Sequence, residues 1–148
     1  MIWRLPIMLF RARIGWLLGG HFLLLNHIGR KTGISRQSVL EVVRHDKKTD
    51  TYIVVSGWGE KSDWYRNLQK SADVTIQVVF RKLDVTAERL PLIDAQSEIL
   101  TYAQHHPQML RFLARILGYR VEDSKEEYRS LAELMPVIAL RPRKSSVR

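Results

Sequence analysis

The sequence predicts an α+β domain whose mainly antiparallel sheet can close into a barrel, and three observations carry that prediction. Apolar, β-branched segments come in pairs joined by short polar or glycine-bearing turns, which is how hairpins read. The apolar spacing then changes to a helical period in the C-terminal third. No internal repeat and no Pro/Gly/Ser-rich linker divides the 148 residues, so the chain reads as a single domain, 1–148, long enough to bury a core without staples. Six strands or so, with helices between and after them, fit that architecture.

Taken in order, residues 1–20 are apolar but carry Arg4, Arg11 and Arg13. The uncharged run 5–10 is too short for a signal-peptide core, and no small-residue cleavage site follows it. The arginines also break the segment well short of the ~20 apolar residues that a bilayer span needs. Two readings stay open. One is a short helix packed on the domain and ended by Gly15, Gly19 and Gly20; the other is a basic amphipathic segment lying on an anionic membrane surface.

The first hairpin joins Phe22-Leu23-Leu24-Leu25 to Val39-Leu40-Glu41-Val42-Val43 through Gly29-Arg30-Lys31-Thr32-Gly33-Ile34-Ser35-Arg36. Glycine permits the left-handed backbone of a tight turn, and amide N–H groups in such a turn can converge on an anion. Arg30, Lys31 and Arg36 would add charge-assisted contacts to phosphate or carboxylate. A solvated basic turn is the plain alternative. Asp46-Lys47-Lys48-Thr49-Asp50 is a polar turn leading into the β-rich Thr51-Tyr52-Ile53-Val54-Val55-Ser56. After Gly57-Trp58-Gly59, Ser62 or Asp63 is placed to cap a helix through Trp64, Tyr65 and Leu68 towards Lys70. Residues 74–79 and 83–87 alternate as a second hairpin. Asp94 is placed to cap a helix bearing Ile99, Leu100 and Ala103, Pro107 opens another that Gly118 closes, and Ser124-Lys125-Glu126-Glu127 is a capping box for a third. Pro136-Val137-Ile138-Ala139-Leu140 is a final strand, and 141–148 is a basic tail.

Composition narrows the chemistry. The net charge of +9 points to an anionic partner, whether nucleic acid, acidic membrane or phosphorylated ligand. With no cysteine there is no disulfide and no thiolate chemistry, which suits a cytoplasmic setting. Among His21, His27, His45, His105 and His106, none lies four residues from another or from a suitable glutamate, so no zinc-type metal site is expected. His27, in a strand running into the basic turn, is the one to watch. No Gly-x-Ser-x-Gly elbow occurs. Gly57-Trp58-Gly59 lacks the third glycine of a dinucleotide fingerprint, and hairpins do not fit a doubly wound sheet. Those glycines still let backbone approach a flat or charged ligand, with Trp58 and Trp64 flanking it. Core packing of Trp64, Tyr65 and Leu68 is the alternative. Ligand-holding loops without a nucleophile, acid–base pair or metal suit a protein whose chemistry an organic cofactor carries, and equally suit a non-catalytic binder. Nucleic acid is not expected, because the basic residues are not interleaved with aromatics in one module.

In order and spacing, Gly29-Arg30-Lys31-Thr32-Gly33-x-x-Arg36, then Tyr52 to Gly59, Asp63-Trp64-Tyr65-Arg66-Asn67-Leu68 and the closing strand resemble the deazaflavin-dependent nitroreductase family over nearly the whole chain. The resemblance implies a split β-barrel of the FMN-binding, flavin-reductase type with flanking and C-terminal helices. It implies an oxidoreductase in which hydride passes from reduced coenzyme F420 to a small electron-poor acceptor such as a nitroaromatic or quinone. Carried over by position, Arg30, Lys31, Thr32, Gly33 and Arg36 would hold the cofactor's phosphate and acidic tail. Ser56, Gly57, Trp58 and Gly59 would line its ring, and Trp64 and Asn67 would complete the pocket. His27, Tyr102, Tyr119 and Tyr128 are the substrate-side candidates. Trp58 stands where several members carry Lys, and His27 where Thr is common. FMN is the alternative cofactor, since split-barrel relatives use it. The residues leave monomer and homodimer both open.

Overall fold

The computed structural model describes residues 22–56, 59–79, 81–105 and 125–143, with side chains from residue 130 in the last stretch. Among these residues the elements are β1 (Phe22–Ile28), β2 (Ser35–Asp46), β3 (Thr51–Val55), a 3-10 turn (Gly59–Lys61), α1 (Asp63–Lys70), β4 (Asp73–Val78), β5 (Arg81–Arg89), α2 (Leu92–His105), α3 (Lys125–Leu134) and β6 (Val137–Pro142). The strands close into a barrel in the order β1-β2-β3-β6-β5-β4, with β4 returning to β1 and every pair antiparallel. No helix among the described residues is long and apolar enough to cross a membrane.

Side-chain alternation sorts the strands into two packed layers. Leu23 and Leu25 of β1, Leu40 of β2, Tyr52 and Val54 of β3, and Ile138 and Leu140 of β6 face the barrel interior. Their neighbours Ile53, Val137 and Ala139 point outward instead, where Ile99 and Ala103 of α2 and Leu131 of α3 cover them. β3 and β6 are therefore buried on both sides, and for that reason read as unbroken apolar runs rather than alternating ones. The twelve-residue β2 serves two partners. Its first half pairs with β1, and a bulge between Val42 and Arg44 bends the strand before its second half pairs with β3.

α1 plugs the barrel: Trp64, Tyr65 and Leu68 belong to the interior cluster. At roughly 1.5–3 kcal/mol for each large apolar side chain buried, these three hold an eight-residue helix that would not persist alone. Asp63, Asn67 and Lys70 lie at three- and four-residue spacing on its other face, which leaves them together beside the loop after β1.

Several boundaries differ from expectation. Ser62 occupies the N-cap of α1 but makes no side-chain capping bond; its Oγ is engaged instead with Ser56 Oγ at 2.8 Å, and since the Ser56 proton goes to the Gly59 carbonyl, Ser62 is the donor. Asp94 sits inside the first turn of α2 rather than capping it. The helix starts just after Pro91, whose carbonyl accepts the Ala95 N–H at 2.9 Å, and proline's fixed φ suits that position. Arg141 and Pro142 belong to β6, paired with Thr86 and Val85, and not to a tail. Arg36 lies on β2 rather than in the turn. The N-terminal segment, the helix expected from Pro107 to Gly118, the Ser124 cap and residues 144–148 lie outside the described residues.

Candidate functional site

The loop after β1 is drawn tight by two backbone bonds, Gly29 N–H to the Ile34 carbonyl at 2.9 Å and Gly33 N–H to the Gly29 carbonyl at 2.8 Å. Gly33 has φ +72°, and a Cβ on Gly29 would stand 2.7 Å from Thr32 Oγ1. Thr32 Oγ1 in turn accepts the Ile34 N–H at 3.2 Å.

The polar face of α1 ties this loop to the barrel. Asn67 Oδ1 accepts both the Arg30 backbone N–H at 3.0 Å and the Arg30 guanidinium at 2.9 Å. Asp63 takes another guanidinium N–H at 3.2 Å, and the Lys70 ammonium donates to the Arg30 carbonyl at 2.8 Å. Four hydrogen bonds thus fix one arginine.

Under the loop, the barrel interior turns from apolar to polar. On β1 the inward column runs Leu23, Leu25, His27; on β2 it runs Leu40, Ser38, Arg36, in antiparallel register with the first. At this end a cavity of about 430 Å³ opens, lined by His27, Arg36, Gln37 and Ser38 from the strands. Gly29, Arg30, Lys31 and Thr32 line it from the loop, and Asp63 and Asn67 from α1. Lys31 and Arg36 have no carboxylate partner among the described residues.

His27 is only 3% exposed. Its Nδ1 lies 2.9 Å from Asn67 Nδ2 and its Nε2 3.0 Å from Ser38 Oγ. Burial, and after it the nearby Arg36 guanidinium, hold its pKa down at about 4 against the ordinary 6.5, while Asp63 pulls weakly the other way. The ring is neutral at physiological pH.

The structure therefore gathers Arg30, Lys31, Thr32, Arg36, Asn67 and His27 at one cavity, with Gly33 shaping its loop. Other candidates lie elsewhere. Ser56 is fully buried, and its hydroxyl is spent on the Gly59 carbonyl at 2.6 Å and on Ser62. Gly59 (φ +76°) is buried in the same turn. Trp64 packs in the barrel core, edge-on to Tyr65. Tyr102 belongs to the outer helical layer and donates to Glu41 at 2.6 Å; burial, then that bond, push its pKa up. Gly57, Trp58, Tyr119 and the side chain of Tyr128 lie outside the described residues. Ser38, Asp63 and Lys70 were missed as site residues. Counting back by twos from Leu40 would have reached Ser38, and the three- and four-residue spacing of α1 would have joined Asp63 and Lys70 to Asn67.

A closed six-stranded antiparallel barrel with a basic cavity at one end places the molecule among the split-barrel folds of the flavin-reductase type. Solved structures bear this out at the level of fold. An F420-H2 dependent reductase matches at 20% identity and TM-score 0.57, covering 82% of this chain and 94% of that one. A pyridoxamine 5'-phosphate oxidase-related, FMN-binding protein from Nostoc punctiforme matches at 14% identity and TM-score 0.57, over 94% and 78% of the two chains. The heme storage protein HutZ of Vibrio cholerae matches at 14% identity and TM-score 0.55, over 95% and 91%. Within that class, residues 7–110 match the F420H2-dependent quinone reductase family, and the chain belongs to it. No curated protein matches the chain.

Proposed function

We propose that the protein is an F420-dependent oxidoreductase that reduces a small electron-poor acceptor, a quinone or a nitroaromatic. The observation that carries this reading is the donor-rich cavity, lined by Lys31 and Arg36, neither of which has a carboxylate partner among the described residues. That donor set fits the phosphate and acidic tail of coenzyme F420. When bound, the reduced coenzyme supplies the hydride.

The chain's own residues bind and orient. Arg36 and Lys31 neutralise the anionic tail. Arg30, pinned by Asn67 and Asp63, holds the loop in its binding shape, and Gly33 gives the loop its left-handed corner. Fixing the tail at the barrel mouth restricts where the ring can lie, and orientation of that kind is a large share of catalysis by such proteins. Gly57 and Trp58 are assigned to the ring on sequence grounds.

A phosphate-bearing flavin offers the same cavity a smaller anion, so the test sets the two cofactors side by side. The purified full-length protein is titrated with F420 and with FMN, and then assayed with reduced F420 against a quinone and a nitroaromatic. Micromolar F420 binding with acceptor turnover is expected. FMN binding alone would transfer the reading to a flavin enzyme, and binding of neither would end it.

A further inference from the structure

The cavity contains a hydrogen-bond chain whose direction can be worked out from its fixed end. Asn67 Oδ1 receives two N–H groups from Arg30, so the amide cannot be turned round without setting NH2 against both donors. Its Nδ2 therefore faces His27 and can only donate, which makes His27 Nδ1 the acceptor. A neutral imidazole that accepts at Nδ1 carries its proton on Nε2, and that proton goes to Ser38 Oγ. The serine oxygen is thereby engaged as acceptor. Its own proton has no acceptor among the described residues, and Ser38 lines the cavity beside Arg36.

We propose that Ser38 is a ligand-contacting hydroxyl of this cavity, donating its proton to an anionic oxygen held by Arg36 and Lys31, and that His27 is the positioning residue that imposes this direction. The ligand chemistry is a phosphate or carboxylate oxygen. The cofactor tail as its source rests on the reading under Proposed function; free phosphate chemistry is the other source. The direction has a consequence for specificity. Ser38 then presents a donor beside the cationic Arg36 and Lys31, and Asp63, the one carboxylate among the described lining residues, is paired with Arg30, so an anionic oxygen is favoured at this point of the wall.

The test has two arms, both on the full chain. In the first, long-range nitrogen–proton NMR reads the His27 ring of the wild-type protein at neutral pH. A neutral ring protonated on Nε2 is expected; a proton on Nδ1, or a doubly protonated ring, overturns the proposal without any variant needing to fold. In the second, affinities for F420 and for inorganic pyrophosphate are measured on variants whose folding is checked by thermal melting. Ser38→Ala is expected to weaken binding roughly tenfold or more, as loss of a hydrogen bond to a charged group does, and Ser38→Thr to restore it. His27→Gln retains a donor near the Nε2 position and should bind close to wild type. His27→Asn keeps only the Nδ1-side acceptor and should match Ser38→Ala. Ser38→Ala binding as tightly as wild type, while Arg36→Ala does not, would remove Ser38 and leave the cofactor reading intact. Serine-dependent binding of pyrophosphate without F420 binding would support Ser38 and remove the cofactor reading. Binding of neither by wild type would overturn both.

Discussion

Acidification should strip stability from this fold through His27 before it reaches most carboxylates. The folded-state pKa is about 4 against 6.5 for the free side chain. As pH falls through 6.5 the unfolded chain takes up a proton that the buried ring refuses, so stability drops from there and levels off only below 4. At about 1.4 kcal/mol for each pH step over which only the unfolded chain is protonated, the loss between pH 7 and pH 4 comes to about 3 kcal/mol. That is a substantial fraction of the total stability of a domain this size. The groups facing the ring set the sign: Arg36 opposes protonation, Asp63 favours it weakly, and protonating Nδ1 would put two donors, His27 and Asn67, face to face. The assay is urea unfolding, followed by tryptophan fluorescence at closely spaced pH values, for wild type and His27→Gln. Carboxylates such as Asp50, whose pKa is lowered mainly by its hydrogen bond from Arg81, lose their contribution in both proteins and cancel in the difference. The wild type should lose about 3 kcal/mol more than the variant between pH 7 and 4. Parallel curves would refute the reasoning.

Other expectations follow from the same geometry. Arg36→Ala should raise the apparent dissociation constant for F420 by roughly tenfold or more while slowing turnover at saturation far less, since the contact is made to the tail; steady-state kinetics over a cofactor range separates the two. Gly33→Ala forces a Cβ into the left-handed region and should cost ~1–2 kcal/mol in chemical unfolding, with a matching fall in cofactor affinity because the loop must shift. Tyr102→Phe leaves Glu41 without its 2.6 Å donor and should destabilise by ~1–2 kcal/mol, yet leave F420 affinity unchanged, because Tyr102 sits in the outer helical layer.

The sequence read well where the physics is local. The first hairpin, the β4–β5 hairpin and α1 each carry their pattern within one contiguous stretch of chain, and all three were legible. The pairings that close the barrel were not. Tyr52 meets Leu140, and Leu25 meets Ile76, across stretches of chain that leave no local trace. The unbroken apolar runs of β3 and β6 were read only as strands, since nothing in them says what covers each side. At the site, Arg36 was assigned to the turn because charge was read by proximity in sequence, whereas period-two alternation puts it on the inward face with Ser38. Ser56 was assigned to the ring pocket by the family resemblance alone. Its hydroxyl turned out to close the Gly59 turn, a role that only three-dimensional neighbours reveal.

The position of α1 carries a further consequence, for the order in which the molecule comes together. One face of its eight residues is core and the other is the wall of the ligand cavity. So short a helix forms only once the barrel is there to receive Trp64 and Leu68. The cavity wall is therefore lost whenever α1 frays. An occupant gripping Arg30 and Asn67 would hold the plug in place, and amide hydrogens along Asp63–Lys70 would exchange more slowly in its presence. Recognition and the sealing of the hydrophobic interior thus share one helix.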